Sequence, residues 1–103
     1  MIKISYNFNT QLTFENGLTI SFAIGEGNYC TNRSNKTNPY ETIKNERECN
    51  NCEILVFNSI TGEDLKIKQF LPEGVTGDGN TNIGWIKADI LADVIQNVKN
   101  WRA

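Results

Sequence analysis

The sequence predicts an α+β domain: an antiparallel β-sheet of about four to five strands built from two hairpins, with one C-terminal amphipathic helix packed on it. Three observations carry this. Apolar and polar residues alternate on both sides of Asn16-Gly17, which combines the period of a half-buried strand with the chemistry of a hairpin turn. A near-continuous apolar run, 53–57, and a largely alternating one, 64–70, flank the turn-forming stretch Asn58-Ser59-Ile60-Thr61-Gly62. Between residues 88 and 101 the apolar spacing changes to that of a helix.

Taken in order, residues 2–8 set Ile2, Ile4, Tyr6 and Phe8 on one side and Lys3, Ser5 and Asn7 on the other, as in a half-buried strand. Residues 11–14 and 18–24 alternate in the same way and should pair antiparallel, because both Asn16 and Gly17 tolerate positive φ. From Gly25 to Cys52 the chain becomes polar and turn-forming, a long loop with one helical turn near residues 40–44. Loops of that length inside compact domains are either functional or disordered. Residues 53–57 and 64–70 read as the second hairpin, and a loop with one proline and three glycines follows between 71 and 82. In the final segment Ile90, Leu91, Val94, Ile95, Val98 and Trp101 form one stripe, while Asp93, Gln96, Asn97, Lys99 and Asn100 face outward. Asp89 in the first turn and Lys99 and Arg102 near the last complement the helix dipole.

With 103 residues, 39% of them hydrophobic and 21% charged, the chain has the makings of a single domain, residues 1–103, with one core. A net charge of −2 lacks the positive field that binding to phosphate backbones requires, so nucleic acid is not an expected partner. The N-terminus shows no signal-peptide pattern, and no apolar stretch approaches the roughly 20 residues that span a bilayer. The expected location is the cytoplasm of the host cell, with no membrane role. Fifteen asparagines and no histidine reflect AT-rich coding.

Three sets of residues are candidates for a site. In the first, Gly25 and Gly27 allow a ligand to approach the backbone, Asn28 and Asn32 supply amides, Tyr29 a stacking ring and Arg33 a permanent cation. Such a set suits a nucleotide or another phosphate-bearing molecule. It lacks the helix-opening glycines and the Lys-Ser/Thr pair of known phosphate loops, and a bulged strand end accounts for it equally well. In the second, Cys49 and Cys52 stand with Cys30, but three thiols without histidine leave a zinc shell incomplete. Reduced or buried thiols are the favoured reading, and neither metal nor cofactor is expected. The third set is aromatic and basic: Trp85, Lys87, Trp101 and Arg102. Trp101 continues the helical stripe, which makes Trp85 the exposed ring. No histidine base, nucleophile elbow or placed carboxylate pair is present, so no enzyme is expected.

The run Thr19-Ile20-Ser21-Phe22-Ala23-Ile24-Gly25-Glu26-Gly27-Asn28-Tyr29-Cys30-Thr31-Asn32-Arg33, with Cys52-Glu53-Ile54 and Gly84-Trp85-Ile86-Lys87-Ala88-Asp89-Ile90-Leu91-Ala92, resembles a group of small phage proteins of uncharacterised activity. In that group a strand ends in Gly-x-Gly-Asn-Tyr-Cys, and a strand and amphipathic helix close the chain. The resemblance implies phage or prophage origin. By analogy with small phage proteins that act against host defences, it implies a sponge for a nucleotide-derived immune signal. The site residues would be Gly25, Gly27, Asn28, Tyr29, Asn32, Arg33, Trp85 and Lys87, in a homo-oligomer. Two alternatives are an inhibitor that docks the 25–52 loop on a host defence enzyme or nuclease, and a virion accessory protein.

Overall fold

A computed structural model describes residues 1–5, 9–24, 48–76 and 80–102. Five strands, β1 (Ile2–Ser5), β2 (Asn9–Thr13), β3 (Leu18–Ala23), β4 (Asn51–Asn58) and β5 (Asn82–Lys87), form one sheet in the order β1-β2-β3-β4-β5. Every neighbouring pair is antiparallel. A 3₁₀ turn, Ile67–Phe70, and the helix α1, Ala88–Lys99, complete the α+β fold. No helix among the described residues is long and apolar enough to cross a membrane.

The core forms where α1 lies against β3, β4 and β5. Ile20 on β3, Ile54 and Val56 on β4, and Val94 and Val98 on α1 are all fully buried, with Cys52 and Ile86 beside them. These positions are alternate residues on the strands and four apart on the helix, so each element turns one face inward. The opposite face of β3 is also covered. Thr19 and Ser21 are buried there, and their hydroxyls pair with Thr13 Oγ1 and Asn9 Nδ2, each at 2.8 Å. Among the described residues no buried side-chain polar atom lacks a partner.

The turn between β2 and β3 differs from the two-residue loop that Asn16-Gly17 suggests. Gly17 N–H donates to Phe14 O at 3.0 Å and Phe14 N–H to Leu18 O at 2.9 Å. Only Gly17, at φ 85°, is left-handed. This is a three-residue loop with a glycine bulge. Asn16 has a different task, because its Oδ1 accepts from Leu18 N–H at 3.1 Å while its Nδ2 reaches the end of α1. There Nδ2 donates to the carbonyls of Val98 at 2.8 Å, Trp101 at 3.1 Å and Lys99 at 3.3 Å. One side chain thus satisfies carbonyls that a helix C-terminus leaves without intrahelical partners.

Three further expectations need correction. Residues 64–70 do not form a strand: one isolated β-bridge, Asp64 opposite Phe57, joins them to the sheet, and Leu65 N–H donates to Val56 O at 2.9 Å. Beyond it the chain winds into the 3₁₀ turn, whose Ile67 and Phe70 are both fully buried. Their i, i+3 spacing fits one side of a 3₁₀ turn, whereas Gln69 at the alternating position is exposed. β5 takes the place beside β4 instead. The long loop ends earlier than Cys52, since Asn51 and Cys52 belong to β4 and pair with Lys87 and Ile86. Asn97 is exposed as its place off the apolar stripe predicts, and its Nδ2 donates to Phe70 O at 2.9 Å and ties the 3₁₀ turn to α1. Finally, Ile2 and Ile4 are 71% and 75% exposed. A single helix, about 10 Å across, covers roughly two to three strands, and β1 lies outside that cover.

Two measurements test this account. Val94→Ala removes two methyl groups from the buried seam and should cost about 2 kcal/mol in urea unfolding. Asn16→Ala should cost about 1 kcal/mol through the lost cap. Asn16→Asp should cost more, because it sets a carboxylate against the same carbonyls, and its deficit should grow as pH rises through about 4.

Candidate functional site

The described part of the candidate site is built on a break in the β4–β5 ladder. Cys52 pairs with Ile86 and Ile54 with Ile83, so Glu53 alone on β4 faces both Gly84 and Trp85 on β5. Two residues against one is a β-bulge, a feature common at sheet edges and beside binding sites. Trp85 absorbs the distortion at φ 54°, the only left-handed non-glycine residue among those described. For an L residue that conformation costs about 1–2 kcal/mol. Gly84, which would adopt it without strain, stands one position earlier and is not left-handed.

The bulge holds the indole away from the core. Ile86 is buried on the helix side, whereas Trp85 on one side of it is 55% exposed and Lys87 on the other is exposed as well. The two side chains therefore share the sheet face opposite α1. Beside Trp85 a shallow cavity of about 430 Å³ is walled by Asn80, Asn82, Ile83 and Gly84. Asn82 Nδ2 donates to Glu53 Oε1 at 3.2 Å and spans β4 and β5 next to the bulge. A half-exposed ring, an adjoining cation and amide-bearing walls can hold a flat polar molecule by stacking and hydrogen bonds.

Of the residues singled out from the sequence, Trp85 and Lys87 come together here. Gly25, Gly27, Asn28, Tyr29, Asn32 and Arg33 lie outside the described residues, as do Cys30 and the suggested helical turn at 40–44. Ala23, two residues before Gly25, pairs with Glu53, the residue that faces the bulge. That places Ala23 two strand spacings, about 10 Å, from β5. Trp101 is half-buried and meets Phe70 edge-on with ring centroids 5.0 Å apart. Cys52 points into the core, and half-buried Cys49 lies with its Sγ 3.8 Å from Asn51 Oδ1. Among the described residues no group of three or more Cys, Asp or Glu is placed to hold a metal.

Sequence reasoning missed the bulge and Asn80, and it gave Asn82, near Trp85, and Glu53, weighed only as a possible acid or base, no part in the ligand site. The available signal was Gly84, an isolated glycine within an apolar run, which often marks a bulge in a strand. Comparison of the chain with protein families, curated proteins and solved structures gives no match.

The strain at residue 85 has a measurable signature. In an ordinary strand, alanine is more stabilising than glycine by about 0.5–1 kcal/mol. At this position the order should invert, with Trp85→Gly more stable than Trp85→Ala by about 1 kcal/mol in urea titrations. The usual order would mean that the left-handed conformation is not adopted in solution.

Proposed function

We propose that this chain is a non-enzymatic, phage-type binding protein that sequesters a small nucleotide-derived signal, with Trp85 as its stacking platform. The observation that carries the reading is the half-exposed indole held at φ 54° in a bulge. Strain of this kind persists only where the surrounding structure imposes it, and it clusters at ligand clamps. Base stacking on an aromatic ring contributes about 1–3 kcal/mol, enough to offset that strain when a ligand is bound. Lys87, on the same face, supplies a charge for a phosphate.

The Gly25–Arg33 stretch of the sequence extends this reading. It follows β3, whose Ala23 is joined through Glu53 to the bulge. In the proposal Gly25 and Gly27 admit the ligand close to the backbone, and Asn28, Asn32 and Arg33 contact phosphate and ribose. Tyr29 adds a second ring. The cavity of about 430 Å³ lies toward the small end of ligand pockets. A homo-oligomer, in which a second copy helps to enclose the ligand, belongs to the same proposal.

Calorimetry against a panel of cyclic and linear nucleotides tests it. At least one compound should bind, Trp85→Ala should weaken it about tenfold or more, and Lys87→Gln by a smaller factor. Native mass spectrometry of the same complex reads the subunit number. If no nucleotide binds and host lysate instead yields one stoichiometric protein partner, the ligand reading fails and inhibition of a host protein replaces it.

A further inference from the structure

A second cavity, of about 790 Å³, opens where the end of α1 meets the β2–β3 turn, on the side of the molecule away from the bulge. It lies beside Asn58, five residues along β4 from Glu53 and therefore roughly 16 Å from the Trp85 site. Leu18, Leu65 and Trp101 supply its apolar lining. Lys99 and Arg102 stand at its rim against one acid, Glu15. The cleft thus carries one net positive charge on a chain whose total is −2.

A helix C-terminus is normally hostile to anions, because its last carbonyls carry the negative end of the dipole. Here Asn16 Nδ2 already covers the carbonyls of Val98, Lys99 and Trp101. Lys99 and Arg102 are consequently not needed to satisfy those oxygens, and neither is ion-paired among the described residues. Asn58 adds a donor: its Oδ1 accepts from Ile60 and Thr61 N–H, at 2.9 and 3.2 Å, which leaves its Nδ2 for another partner. Phe70 meets the Trp101 ring edge-on, and half-buried Trp101 also lines the cleft.

The geometry points to a second binding site in this cleft, for a small anion that carries a flat apolar ring. Lys99 and Arg102 hold the phosphate or carboxylate, Asn58 donates to it, and Trp101 and Leu65 receive the ring. The site is separate from the Trp85 platform and stands or falls without it.

The test uses Trp85→Phe protein, in which Trp101 is the sole tryptophan of the two in the chain and reports on the cleft alone. Phenyl phosphate should change its emission saturably. Lys99→Gln and Arg102→Gln, both at exposed positions, should each weaken binding about twofold to fivefold, and Glu15→Gln should tighten it about twofold. Inorganic phosphate should bind more weakly than phenyl phosphate, and benzoate should compete with it. No saturable change up to about 10 mM would overturn the assignment. So would an affinity that the Lys99→Gln/Arg102→Gln pair leaves unchanged, or equal binding of inorganic and phenyl phosphate.

Discussion

The structure depends on one seam, where Val94 and Val98 of α1 press on Ile20, Ile54 and Val56 of the central strands. In a domain of this size burial at a single seam must offset most of the chain entropy lost on folding, because the described residues form one core. The helix is held there at two further points. Asn97 joins it to Phe70 of the 3₁₀ turn, and Asn16 caps its end from the β2–β3 turn. Both are asparagines outside the apolar stripe, so they add directional contacts to a non-directional packing force.

This arrangement explains the division of the sheet edge beside β4. Residues 63–65 line its C-terminal part, where Asn58 N–H donates to Glu63 O at 2.8 Å and Leu65 N–H to Val56 O at 2.9 Å. β5 takes the part from Asn51 to Leu55. Between its pairings with Ile54 and Cys52, β5 carries one residue more than the ladder needs, and the surplus appears as the bulge at Gly84-Trp85. A single extra residue therefore determines which way the indole points. The two proposed ligand surfaces lie at opposite ends of the same central strand.

The opposite face of the sheet is less apolar than the seam. Thr19 and Ser21 are buried there as hydrogen-bonded hydroxyls rather than as methyl contacts. Such pairs are neutral or mildly stabilising while intact and costly when one partner is lost. Their value lies in register: a one-residue slip of β2 against β3 would move both hydroxyls off their partners and turn Leu12 of β2 away from the core.

By itself the sequence determined the elements whose pattern has one physical reading. The stripe from Ile90 to Trp101 fits only a helix, and the alternation around Gly17 fits only a hairpin. It also separated the two tryptophans, since one continues the stripe and the other does not. Tertiary structure decided what local pattern leaves degenerate. Leu65 and Ile67 fit the alternation of a strand and Ile67 and Phe70 the spacing of a 3₁₀ turn, and burial of Ile67 and Phe70 under α1 selected the turn. Ile2 and Ile4 alternate as a buried strand would, yet the reach of one helix left them outside the core. The left-handed Trp85 and the clamp made by Asn16 arise from pairings between residues far apart in the chain, and short-range periodicity carries no trace of these.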